Sequence, residues 1–186
     1  MKINNLTEND KDEHFSEIIK EAEIAHSLSE KINDYLSAMF AEGVMTEEQA
    51  NESAGLLYIL CDIDRIGYLG KDLLEVIRNQ KNKKSGLSKE ALKDLKKSLK
   101  LIIYMYSYAV EIIENGEGAS LKNIQKTKEE FMQLDDKMRR NHIARVGKKK
   151  CNVKLTPLYN EILHNIDRMG NSCVNLVEMA QNGMSF

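Results

Sequence analysis

Apolar residues recur at steps of three and four along most of the chain, and nothing alternates convincingly with period two. On a helix such steps form a single stripe, so the pattern predicts amphipathic helices throughout. A first helix over about 14–41 carries Ile18, Ala22, Ala25, Leu28, Ile32, Leu36 and Met39. A second, to about Asn79, shows Leu56 to Leu60 and then Leu69, Leu73, Leu74 and Ile77. The third uses Leu92, Leu95, Leu99, Ile102, Met105, Ala109 and Ile112, and the fourth, over about 120–146, Leu121, Ile124, Phe131, Leu134, Met138 and Ile143. A fifth, to about Gln181, has Leu158, Ile162, Leu163, Val174, Leu176 and Val177.

The residues between these stripes are helix starts and stops. Gly43 is placed to end the first helix. Thr46-Glu47-Glu48-Gln49 has the form of a capping box at the start of the second. Lys81-Asn82-Lys83-Lys84-Ser85-Gly86 reads as a loop; Ser88 follows as an N-cap, with Leu87 and Leu92 spaced as a hydrophobic staple. Asn115-Gly116 and Gly118 stop the third helix and Gly147 the fourth, while Pro157 suits the first turn of the fifth. Residues 1–13 read as a flexible linker, and Asn182-Gly183-Met184 as a frayed end. Short connections between helices favour an antiparallel bundle.

One stretch occurs twice: Asp62-Ile63-Asp64-Arg65-Ile66-Gly67 and Asn165-Ile166-Asp167-Arg168-Met169-Gly170. Each places charged residues between apolar ones and then a Gly inside a helix, the mark of an internal duplication. Such a Gly lowers helicity by roughly 1 kcal/mol relative to Ala, so Gly67 and Gly170 are expected where another element approaches closely. The duplication divides the chain into a first repeat over 14–80 and a second over 87–183. If each repeat has three helices with the motif on the third, the first lacks its opening helix. A segment preceding it in a longer chain would supply that helix, and the apolar surface left open would otherwise favour a homodimer.

Composition narrows the class. A single Pro, no Trp and few aromatics suit an all-α protein, and a net charge of −2 with no basic domain disfavours nucleic acid as a partner. Cys61, Cys151 and Cys173 have no zinc-ligand or CxxC spacing, which suits a reducing compartment without disulfides. No signal-peptide h-region or membrane-spanning run is visible.

The candidate chemistry is sparse. The plain account of Asp64-Arg65 and Asp167-Arg168 is a polar seam where the repeats pack, with each charge paired; the sharper one is ligand or metal contact. Glu30 and Asp34, one turn apart, form an acid pair on what reads as a solvated face. Glu23 with His26, and Glu161 with His164, have the Glu-x-x-His spacing of di-iron carboxylate bundles, which makes a di-iron metalloprotein the alternative class. Lys81 to Lys84 and Lys148 to Lys150 read as solvated loops, able to touch anionic lipid if the chain lies under a membrane. Tyr104, Tyr106 and Tyr108 alternate around the third helix and cannot all be core. No partnered nucleophile or Gly-rich phosphate loop is present, so no catalytic residue is assigned and an enzyme is not expected.

The two motif helices, Leu60 to Gly67 with Asp72 and Glu75 and Leu163 to Gly170 with Asn175, Leu176 and Glu178, resemble the signature helix of PhoU domains. Phe131 to Lys150, with Asp135, Asp136, Arg139, Arg140 and His142, looks like the helix and loop preceding that motif. The likeness spans about His14 to Ala180 and is greatest to the PhoU-like region that follows the membrane part of bacterial sodium/phosphate cotransporters. It implies an all-α, PhoU-like antiparallel bundle with Asp64, Arg65, Gly67, Asp167, Arg168, Gly170, Asn175 and Glu178 as motif residues. It further implies a regulatory tail on the cytoplasmic side of the inner membrane, whose partner is the transporter's membrane part. Family members hold iron or zinc through a second carboxylate four residues after the first. Tyr68 and Asn171 stand at those positions here, so no metal or other cofactor is assigned.

Overall fold

In the computed structural model five helices pack as an all-α bundle: α1 (Asp12–Ala41), α2 (Glu47–Lys81), α3 (Lys89–Asn115), α4 (Leu121–Gly147) and α5 (Thr156–Gln181). A short 3-10 turn, Val153–Leu155, leads into α5. The structure describes residues 12–43, 45–81, 86–115 and 121–182. Of the linker expected over residues 1–13, Asp12 and Glu13 instead begin α1; residues 1–11, the loop at 82–85, Gly116, Gly118 and Ser120, and the end at Gly183 and Met184 lie outside the described residues.

The helix ends follow from the residues at them. At the start of α2 the Thr46 amide donates to Gln49 Oε1 at 3.0 Å and the Gln49 amide to Thr46 Oγ1 at 3.2 Å, a reciprocal capping box. Ser88 Oγ accepts from the Ala91 amide at 3.2 Å and caps α3. Gly43 adopts a left-handed φ of 63° and its amide closes on Phe40 O at 3.2 Å, which ends α1. The end of α4 differs from expectation. Gly147 remains helical, and the left-handed residue is Lys149, at φ 54°. Its amide donates to Val146 O and that of Lys150 to Arg145 O, both at 2.9 Å.

The helix α5 forms the centre, packed against α2, α3 and α4. Tyr159, Ile162, Leu163, Ile166, Met169, Cys173, Leu176 and Val177 bury its apolar face. Burial of this kind stabilises by roughly 1.5–3 kcal/mol per large side chain. The helix α1 has its main contact with α2 alone. Arg78 lies 4.3 Å over the Phe15 ring, Lys71 pairs with Glu23 at 3.1 Å and His26 meets Asp64 at 2.9 Å, so the two helices run antiparallel.

The expected stripe is largely buried in α3, buried in part in α4, and little buried in α1. From Leu95 to Ile112 the α3 stripe is core, although Ala91 is buried and Leu92, the proposed staple partner, is exposed. In α4, Ile124, Phe131 and Met138 are buried while Ile143 is 67% exposed. His142 is buried one position earlier because its ring stacks on Tyr159, with centroids 4.5 Å apart. Among the described side chains of α1, Ser29 and Leu36 alone are buried, and Leu28, expected in the core, is 57% exposed. One neighbouring helix covers a narrower arc of α1 than its apolar residues occupy.

A non-Gly residue in the left-handed region costs roughly 1–2 kcal/mol. Lys149→Gly is therefore expected to stabilise the chain by about 1 kcal/mol, read as a higher urea midpoint at unchanged slope.

Candidate functional site

The motif on α2 sends its charged residues in different directions. Asp62 shares the buried face with Ile59, Ile66, Leu69 and Leu73, spaced at three and four. Two residues on, Asp64 is turned by roughly 200° about the helix axis and meets α1 instead.

Asp62 is 6% exposed and satisfied by three donors. Ser172 Oγ donates at 2.7 Å and Asn175 Nδ2 at 3.1 Å, both from α5, and Arg65 Nη1 at 2.8 Å from its own helix. A polar seam between α2 and α5 therefore exists, but Asp62 makes it. Arg65 contributes from the side, Asp64 and Asp167 face other helices, and Arg168 is exposed.

Both motif acids hold a cationic or protonatable group from the helix that precedes them. His26 of α1 meets Asp64, 38 residues away in sequence. Lys128 of α4 donates through Nζ to the Asp167 carboxylate and, at 3.2 Å, to its backbone carbonyl, 39 residues away. The Lys128 side chain is only 12% exposed and also lies 5.0 Å over the Phe131 ring, so two features compensate the partial burial of its charge. The two contacts correspond in position, each reaching back from a motif acid to the helix before it.

The two glycines do not match. A Cβ on Gly170 would meet Ile102 Cδ1 of α3 at 3.1 Å and Lys128 Nζ at 3.3 Å, the close approach expected there. A Cβ on Gly67 would meet nothing within 4 Å among the described residues. At the positions where the family places second carboxylates, Tyr68 is exposed and Asn171 Nδ2 donates to Asp167 Oδ2 at 3.4 Å. Asn175 and Glu178 edge a shallow cleft with Lys128 and Asn171.

The Glu-x-x-His pairs do not converge on a common centre. Glu23 is joined to Lys71 and His26 to Asp64, with Glu30 3.8 Å from the His26 ring, while Glu161 and His164 are exposed. Among the described residues no three His, Cys, Asp or Glu side chains group as a metal site. The three cysteines are free, and burial pushes the Cys173 thiol up to about 12. Tyr104 and Tyr108 stack with centroids 6.2 Å apart, and Tyr106 borders the groove beside Gly67. Among the described residues no helix is long and apolar enough to cross a membrane.

Sequence reasoning missed Lys128 and Ser172. Both leave a signal, since each is a polar residue set within an apolar stripe: Lys128 between Ile124 and Phe131, Ser172 between Met169 and Leu176. Comparison with protein-family models, with curated proteins and with solved structures yields no match to this chain.

Two measurements check the site. Asp62→Ala strands Ser172 and Asn175 and removes all three hydrogen bonds to a buried charge, so chemical denaturation is expected to show a loss of about 3 kcal/mol. His26 and His142 are expected to titrate on opposite sides of 6.5 by NMR. The hydrogen bond to Asp64 raises His26, so its contribution to stability is complete below 6.5 and is lost as pH rises through the folded value. Burial and then Arg145 lower His142, so stability falls as pH drops from 6.5 through its folded value.

Proposed function

We propose that this chain is a PhoU-like regulatory module of a sodium-dependent phosphate cotransporter, acting on the cytoplasmic side of the membrane to control phosphate uptake. It works by contact rather than by catalysis. The observation that carries the proposal is the unequal environment of the two motif glycines. In the second repeat α3 closes over Gly170 through Ile102. In the first, Gly67 lies in an apolar groove of about 280 Å³ lined by Ile18, Ala22, Ala25, Ile63 and Ile66. Ile24, Leu28, Ile32 and Tyr35 leave further apolar surface exposed on α1.

The internal repeat specifies the occupant. It is an amphipathic helix with a branched apolar side chain against Gly67, lying on α1 and α2 as α3 lies on α4 and α5. Supplied by the transporter side, such a helix couples the bundle to one transporter conformation, and its differential affinity sets how far that equilibrium shifts. The exposed Lys148 to Lys150 loop suits a nearby anionic membrane surface, each Lys contributing about 1 kcal/mol there.

The test compares Gly67→Ala with Gly67→Leu. Alone, Gly67→Ala is expected to stabilise the chain by up to about 1 kcal/mol, because the helix gains propensity and the space is open. In vesicles containing the cotransporter membrane part, adding the wild-type chain is expected to change sodium-driven phosphate uptake, and Gly67→Leu to abolish that change. Uptake that is the same with and without the chain would refute the proposal.

A further inference from the structure

A second cleft, of about 480 Å³, lies between the first turns of α3 and the end of α4, and the motif helices take no part in it. Lys93 and Lys97 border it from α3, Arg145 from α4, and Lys148 and Lys150 from the loop beyond. Against these five cations stand two carboxylates, Glu90 and Asp94. Its volume is that of a small-ligand site.

The arrangement leaves a specific deficit. Arg145 Nε and Nη2 and the nearby Tyr159 hydroxyl are buried; Tyr159 and Arg145 interact with each other, and none of the three has a well-formed hydrogen bond to another described residue. A guanidinium keeps its charge at any ordinary pH and carries five donors, so burying it without an acceptor is strongly disfavoured. Two of the surrounding groups are engaged elsewhere, while Asp94 shares the cleft with Arg145 as one carboxylate among the five cations. Glu90 is held by its own backbone amide and by Ser88 at the start of α3. His142 stacks on Tyr159 and its Nε2 is 3.0 Å from Thr156 Oγ1.

The lysines beyond α4 are not needed to cap it. The amides of Lys148, Lys149 and Lys150 already satisfy the carbonyls of Ala144, Val146 and Arg145. Lys148 and Lys150 are exposed, so their ammonium groups are available to the cleft. A water molecule could fill a hydrogen-bonding vacancy, but it would leave the excess of positive charge. A phosphate-type oxyanion supplies both acceptor oxygens and charge, and its geometry matches a guanidinium fork.

We infer that this cleft binds a phosphate-type oxyanion, either free or as the phosphoryl end of a nucleotide, with Arg145 as the anchor and the four lysines as its rim. The site is separate from the Gly67 groove, and its occupancy does not depend on the transporter.

The experiment is a titration of the full chain with inorganic phosphate, pyrophosphate and ATP, each against sodium chloride at matched ionic strength, followed by amide chemical shifts. Saturable shifts are expected at the start of α3 and over residues 145–151. Lys148→Ala/Lys150→Ala, on an exposed loop, is expected to keep the fold and weaken binding at least tenfold. Arg145→Lys, which keeps the charge and loses the fork, is expected to weaken it as well. Saturation by inorganic phosphate identifies the free anion as sufficient, whereas saturation by pyrophosphate or ATP alone identifies a phosphoryl group on a larger ligand. Shifts that match the chloride control, or that persist unchanged in the double-lysine variant, would overturn the inference.

Discussion

A carboxylate placed inside a helical bundle must find donors, and the Asp62 requirement sets how α2 lies on α5. Ser172 and Asn175 meet it from one side and Arg65 from the other. Apolar contacts alone would tolerate a range of rotations about the helix axes, whereas a buried ion with fixed donors tolerates few. With that rotation chosen, Asp64 faces α1 and Asp167 faces α4, and each collects the protonatable side chain that helix offers. The two outer pairs are therefore consequences of the seam between the motif helices.

The helices were legible because their ends are written in local chemistry. Thr46 with Gln49, Ser88, Gly43 and Pro157 act through groups a few residues away, and stripes spaced at three and four name the face that packs. The arc of a helix that its neighbours will cover is not local, which is why Leu28 and Ile143 fit the core pattern and lie at the surface. The same limit hid the seam. Asp62 lies on an apolar stripe, but only the partner helix reveals that Ser172 and Asn175 stand opposite. Lys149 escaped notice for another reason: Gly147 was the better stop on propensity, and the chain made its left-handed turn two residues later.

The two motif helices are alike in their outer contacts and unlike in what covers their glycines. Both motif acids are engaged from the preceding helix, yet only Gly170 is covered by a third helix, so the first repeat carries an apolar groove where the second carries core. Charge is distributed just as unevenly. The motif pairs are closed within the bundle, while the excess positive charge collects around Arg145 at the junction of α3 and α4.

The seam is the claim on which this account rests, and a double-mutant cycle between Asp62→Ala and Ser172→Ala tests it most directly. Stability measured by urea denaturation should give a coupling energy of about 1–2 kcal/mol, since the pair is buried and in contact. Single-mutant effects that add to within about 0.3 kcal/mol would mean that Asp62 does not hold α2 to α5.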